Sequence, residues 1–101
     1  MINKELRENA KKLGFYSGLP LGDRCDKDNE IFLSLLNNHM KWYSGESVST
    51  YYDDDFCMGW YWCIEELNGL IVEQSNHYQH SDTKALEKGL IKLVNNYIEK
   101  L

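Results

Sequence analysis

A β-hairpin pattern around Asn68-Gly69 constrains the fold more than any other feature of this chain. The segments 56–66 and 70–78 flank it, and both are rich in aromatic and β-branched side chains. An Asn-Gly pair between two such segments is a typical hairpin signal. The sequence therefore predicts two antiparallel strands joined by a tight loop.

The length of this loop decides which side chains are buried, because a one-residue slip moves every side chain to the opposite face. A two-residue turn would put Trp60 and Trp62 on one face and Val72 on the other. A three-residue loop, 67–69, with Gly69 in a left-handed conformation and a G1 bulge, avoids this conflict. We therefore predict the longer loop, with Ile64 opposite Val72 and Met58 opposite Tyr78. The predicted buried face contains Phe56, Met58, Trp60, Trp62, Ile64, Leu70, Val72 and Tyr78. The predicted solvent face contains Cys57, Gly59, Tyr61, Cys63, Glu65, Glu73, Ser75 and His77.

The C-terminal segment has the periodicity of an amphipathic helix, with Ser81 or Asp82 as its N-cap. Gly89 interrupts it, at a cost of about 1 kcal/mol relative to alanine. We expect this glycine to allow the close approach of a tryptophan from the sheet. The apolar stripe that should cover the sheet consists of Leu86, Leu90, Leu93, Val94 and Tyr97, widened by Ile91 and Ile98.

The N-terminal half predicts two helices followed by a strand. The first helix spans about 2–13, and Gly14 ends it. Asp26 or Asp28 caps the second, and Asn37-Asn38 weakens its end. The strand lies near 47–52, whereas 40–43 is compatible with a short strand or with the helix end. The apolar residues of the second helix are Ile31, Phe32, Leu35 and Leu36. The expected fold is α+β: two N-terminal helices, a small antiparallel sheet, and a C-terminal helix packed on the sheet.

Length and composition predict one domain, 1–101, in a reducing compartment. A chain of 101 residues is long enough to bury one core. Its three cysteines are an odd number, and its N-terminus has no apolar leader segment, so reduced thiols in the cytoplasm are expected. No apolar run approaches the ~20 residues that a membrane-spanning helix requires.

Charge is distributed unevenly along the chain. The formal net charge is −5, and residues 42–83 contain no Lys or Arg. The same segment contains eight acidic residues, namely Glu46, Asp53, Asp54, Asp55, Glu65, Glu66, Glu73 and Asp82. Such a segment repels phosphate groups, so nucleic acid is not an expected partner. A basic protein partner is the alternative to a merely solvating acidic surface.

Cysteine and histidine residues suggest a second function class, a small metal- or thiol-using protein. Cys57, Cys63, His77 and His80 are the candidate ligands. Six residues along a strand separate the two cysteines by about 20 Å, whereas zinc needs both sulfurs at about 2.3 Å. The chain has no nucleophile elbow, phosphate loop or dinucleotide fingerprint. We therefore expect a non-enzymatic protein without a metal or cofactor.

Aromatic residues in excess of what the core can bury point to a binding surface. Tyr51 and Tyr52 precede Asp53, Asp54 and Asp55, and Tyr and Trp dominate the energetics of protein interfaces. A sheet of few strands also leaves an edge open for pairing. We predict that these five residues bind a protein partner, with a homodimer as the alternative.

The C-terminal half resembles short uncharacterised phage, prophage or mobile-element proteins of gut bacteria. In these proteins, a Y-x-x-A-L-E-x-G-L-like segment opens the last helix. Residues 77–94 match it at Ala85, Leu86, Glu87, Gly89 and Leu90, and 4–15 resembles their N-terminal helix. The chain departs from the pattern at 81–84, where a Tyr-Glu-Glu sequence is usual. The resemblance implies a small soluble accessory protein of a mobile element.

Overall fold

The computed structural model describes residues 2–16, 26–55 and 58–101. The described chain is α+β, as predicted, and the C-terminal helix packs on a three-stranded antiparallel sheet. Its strand order is β1-β2-β3. The elements are α1 (Lys4–Lys12), α2 (Asp26–Ser44), β1 (Glu46–Asp53), β2 (Gly59–Glu66), β3 (Ile71–Gln74) and α3 (Asp82–Ile98).

Side-chain caps begin the first and last helices. The Asn3 side chain accepts a hydrogen bond from the Leu6 backbone N–H, and Ser81 accepts one from Lys84. These contacts satisfy N–H groups that have no partner within the helix. Ser81 is therefore the cap of α3, and Asp82 is its first residue. Gly14, with φ 89°, follows the end of α1 as predicted.

The second helix is longer than the sequence pattern indicated. It begins at Asp26, which places Asp28 in its first turn, and it continues through 40–43 to Ser44. Segment 40–43 is therefore helix and not strand. The helix continues past Asn37, whose side chain bonds to β1 and not to the helix backbone. Its Oδ1 accepts from the Val48 N–H at 2.8 Å, and its Nδ2 donates to the Val48 carbonyl at 2.9 Å.

The hairpin has the predicted three-residue loop. The Glu66 N–H donates to the Leu70 carbonyl, the Gly69 N–H donates to the Glu66 carbonyl, and Gly69 has φ 85°. This is a type I turn closed by a left-handed glycine.

Beyond the loop, the predicted pairing of the two strands is wrong. A bulge between Ile64 and Glu65 shifts the register, so that Ile64 pairs with Glu73 and not with Val72. Val72 is 51% exposed, although it was expected to be buried. Met58 is also exposed, and β3 ends at Gln74. Because β3 has one extra residue at the bulge, the side chains of β3 that follow it point to the faces opposite to those predicted. Phe56 and Cys57 lie outside the described residues.

The core lies between the sheet and the helices. Gly89 of α3 crosses the sheet so closely that an added Cβ would lie 2.6 Å from Val48 Cγ1 and 3.0 Å from Trp62 Cβ. The predicted approach of a tryptophan to this glycine is confirmed. Trp62 is half-buried against the core, and Trp60 is also half-buried. Buried core residues include Leu6, Phe32, Leu36, Met40, Val48, Ile64, Leu90, Leu93 and Val94.

Cys63 is only 1% exposed, so its assignment to a solvent face is wrong. It lies in the central strand, between Ser49 on one neighbouring strand and Gln74 on the other. A small side chain between two strands is covered by its neighbours even where no helix lies over it.

Candidate acidic tyrosine surface

The five residues predicted to bind a partner lie at one end of the sheet but not on one face. Tyr51 is 41% exposed and Tyr52 is 49% exposed. Successive strand residues point to opposite faces. Tyr51 therefore shares the helix-free face with Tyr61, its partner on β2, whereas Tyr52 shares the other face with Trp60. Asp53 ends β1, and Asp54 and Asp55 follow it in exposed positions.

Three tyrosine rings form a contiguous row on the helix-free face. The centroid of the Tyr61 ring lies 5.6 Å from that of Tyr51 and 5.8 Å from that of Tyr78. These separations are typical of aromatic pairs that attract each other. We call Tyr51, Tyr61 and Tyr78, together with Tyr52, Asp53, Asp54 and Asp55, the acidic tyrosine surface.

Gly59 makes room for the end of this row. A Cβ at this position would lie 2.8 Å from the Tyr78 Cβ, a separation that real side chains do not adopt. The missing side chain lets the segment after β3 cross the end of β2, where Trp60 forms a bridge with Gln79. Sequence reasoning placed Tyr61 on the solvent face, as found, but did not include it among the five partner-binding residues. It missed Tyr78, because the bulge places Tyr78 on the face opposite to the one predicted. The Gly59 next to the tryptophans was the available signal for a close approach.

Carboxylates orient two of the three phenols in the row. The Tyr51 hydroxyl donates to Glu65 Oε1, and the Tyr78 hydroxyl donates to Asp53 Oδ2 at 2.8 Å. The hydrogen bond to Glu65, with smaller contributions from desolvation and from the charge of Glu65, raises the pKa of Tyr51. The Tyr51 phenol is therefore a neutral hydrogen-bonding group near pH 7 and not a base or nucleophile.

The three consecutive aspartates concentrate negative charge beside the row. Donor oxygens of Asp53, Asp54 and Asp55 lie within 4.8 Å of one another. The Asp55 N–H donates to Asp53 Oδ1 at 3.0 Å, which holds the turn. Bound through one oxygen each, three carboxylates supply only three of the six to eight oxygen ligands that calcium takes.

The sheet layer has no positive charge of its own. Residues 42–83 include all three strands and contain no Lys or Arg. One sheet carboxylate is paired from the helical layer, since Lys92 Nζ lies 3.5 Å from Glu73 Oε2. The row formed by Tyr51, Tyr61 and Tyr78 lies on the other side of the sheet from that ion pair. It therefore has the electrostatic character of a binding site for cationic groups.

The alternative cysteine and histidine site does not assemble from the described residues. Among residues 2–16, 26–55 and 58–101, one group of three or more potential metal ligands has its donor atoms close together, and it consists of the three aspartates. Cys63 is buried, and burial, with a smaller effect of Glu65, raises its thiol pKa. His77 and His80 are exposed. Cys57 and Cys25 lie outside the described residues.

Comparisons with known proteins give no relative for this chain. No protein-family model, curated protein or solved structure matches it. Within the described residues, no helix combines the length and the apolar character that crossing a membrane would require.

Proposed function

We propose that this protein is a small non-enzymatic accessory protein that binds a basic protein partner through its acidic tyrosine surface. The carrying observation is the combination of exposed tyrosines and three aspartates on a sheet layer without any Lys or Arg. The resemblance of its C-terminal helix to phage and mobile-element proteins of gut bacteria adds a context. In that context the protein acts in the cytoplasm of a bacterial host.

The two residue types of the surface have different roles in binding. Tyr51 and Tyr52 provide large contact areas at a small loss of side-chain entropy, which is typical of interface hot spots. Asp54 and Asp55 attract a Lys- or Arg-rich surface and raise the association rate, and salt screens this attraction. The proposal therefore combines aromatic anchoring with electrostatic steering.

A second copy of the chain is a poorer partner for this surface. The sheet of the copy would bring the same aspartates and no Lys or Arg. Like charges across an interface destabilise it. A basic partner therefore fits the surface better than self-association does.

A capture experiment with charge-matched variants tests the proposal. The tagged protein is incubated with bacterial lysate at several salt concentrations, and captured proteins are identified by mass spectrometry. We expect captured proteins to be basic and to elute with increasing salt. Replacing Asp53, Asp54 and Asp55 by Asn, or Tyr51 and Tyr52 by Ser, should abolish capture.

The matched control carries the same charge change on the helices. Glu8 and Glu30 lie on α1 and α2, Glu99 follows α3, and all three are exposed, so replacing them by Gln should leave capture intact. If the aspartate variant and the glutamate variant lose capture equally, the effect is one of net charge and not of the acidic tyrosine surface. Unchanged capture by the aspartate and tyrosine variants would contradict the proposal.

A further inference from the structure

Among the residues that the structure describes, the outer edge of β1 is closed at one half and open at the other. At the closed half, the Asn37 amide takes the place of a neighbouring strand, because it bonds to both the N–H and the C=O of Val48. The Ser44 hydroxyl closes the adjoining position by accepting from the Glu46 N–H at 3.1 Å. Both backbone groups of Val48 therefore point outward from the sheet.

Strand alternation extends this assignment to the open half. Residues two and four positions after Val48 have the same backbone orientation, so Thr50 and Tyr52 also point outward. The pairing of β2 agrees with this orientation. Trp62 and Trp60, which lie opposite Thr50 and Tyr52, direct their backbone groups away from β1. They bond instead to Ser75 and Gln79 on the β3 side. Within the described chain, no group pairs with the outward N–H or C=O of Thr50 or Tyr52.

We infer that the open half of the β1 edge, at Thr50 and Tyr52, binds an extended segment of a basic protein as a fourth strand of the sheet. This inference rests on the proposed function and specifies how the partner is recognised. Backbone pairing along an open edge gives affinity, and alternate side chains give specificity. The closed half limits the added strand to the end of β1 that the aspartates follow.

Charge and aromatic contacts determine the chemistry of the occupant. Asp54 and Asp55 follow the open positions directly and are exposed, so they favour Lys or Arg at the end of the added segment. The Tyr52 ring packs in a tilted orientation against the Trp60 ring at a centroid distance of 5.4 Å, on the face opposite to the tyrosine row. An added strand would therefore meet aromatic rings on both faces. Residues 42–83 contain no Lys or Arg, so the β1 of a second copy lacks the required charge.

Peptide selection provides the probe for this inference. A displayed library of short random peptides is selected on the purified protein, and the enriched sequences are synthesised. We expect them to be rich in Lys or Arg and free of proline at central positions. Two further syntheses of each peptide carry N-methyl groups on one or on the other alternate set of backbone amides, so that one of the two loses the amides that face β1 and both keep every charge. That methylated peptide should bind at least about tenfold more weakly than the unmethylated one, since each lost hydrogen bond to an open edge contributes roughly that factor.

A matched pair of variants tests the edge from the side of the protein. Thr50→Pro removes an outward N–H that the sheet does not use, and edge strands tolerate proline at such positions. Thr50→Ala keeps that N–H. We expect Thr50→Pro to weaken peptide binding about tenfold, whereas Thr50→Ala binds as the unchanged protein does.

The outcomes separate this inference from the proposed function. Basic peptides that bind equally with and without N-methylation would overturn edge pairing and leave the basic-partner proposal standing. A library that enriches no basic sequence would contradict both. If Thr50→Pro fails to fold, the methylated peptides still decide the question on the unchanged protein.

Discussion

The helical and sheet layers of this protein differ most clearly in charge. Of the 11 basic residues, all except Arg24, which lies outside the described residues, are in the helices or directly after α3. The strands have none, and their free end presents exposed tyrosines and aspartates. Solubility alone needs mixed charges on every surface and does not require such separation. This difference is the basis of the proposal that a cationic partner binds the sheet layer, whereas the helices face solvent.

The two layers are in close contact at Gly89, so we expect an added side chain there to have the largest effect. Gly89→Ala would place a Cβ 2.6 Å from Val48 Cγ1. Val48 is β-branched and stiff, so it cannot move aside by rotation. We expect a loss of about 2 kcal/mol in the free energy of unfolding, after the gain in helix propensity. Urea denaturation measures it, with Lys88→Ala at the exposed neighbouring position as control. A higher denaturation midpoint for Gly89→Ala would show that the layers are not in close contact.

The second link between the layers is the Asn37 side chain on the β1 edge. Asn37→Ala leaves the N–H and C=O of Val48 without their partners, so we expect a loss of about 1.5 kcal/mol. Asn38→Ala is the matched control, because Asn38 is exposed and occupies the next position of the same helix. Urea denaturation should show no loss for the control. Equal effects of the two changes would contradict the role of Asn37 as a substitute strand.

Cys63 tests how well the helix-free face of the sheet excludes water. Cys63→Ser places a hydroxyl at a 1% exposed position, and we expect a loss of about 1 kcal/mol without unfolding. The raised thiol pKa also makes the thiolate unfavourable in the folded state. The stabilising contribution of the neutral, protonated thiol is therefore complete below about pH 8.5, and it is lost as pH rises through the pKa of the folded state.

Thiol alkylation followed by peptide mapping checks the same burial. At pH 8 the Cys63 thiol should react only after denaturation. Fast reaction of Cys63 in the folded protein would contradict its burial.

The smallest expected effect concerns the hydrogen bond between Tyr51 and Glu65 on the acidic tyrosine surface. The Tyr51 hydroxyl lies on an exposed surface, and the residue is 41% exposed, so Tyr51→Phe should change stability by less than about 0.5 kcal/mol. The raised pKa of Tyr51 arises mainly from this bond, and its small contribution is present below about pH 10 and lost as pH rises through the folded pKa. Glu65→Gln should therefore lower the pH at which Tyr51 ionises, as measured by ultraviolet titration. An identical titration curve would show that the bond is absent in solution.

Local sequence signals predicted the helices, the hairpin loop and the approach of tryptophan to Gly89. Apolar periodicity and turn glycines act within a few residues, so they can be recognised without a structure. The bulge at Glu65 could not be recognised, because it depends on how β3 packs beside β2. Consequently the positions of Val72 and Tyr78 were predicted wrongly. Cys63 was predicted wrongly for another reason, because neighbouring strands cover its small side chain. The acidic tyrosine surface was predicted only for its β1 residues, since Tyr61 and Tyr78 join it through strand pairing.

Hydrogen exchange of backbone amides, with and without a captured basic partner, tests most directly whether binding belongs to the sheet layer. We predict slower exchange in β1 and β2 upon binding, with the strongest effect at the N–H groups of Thr50 and Tyr52. Exchange in α1 and α3, which carry most of the lysines, should not change. Protection confined to α1 or α3, with unchanged exchange at Thr50 and Tyr52, would contradict the account.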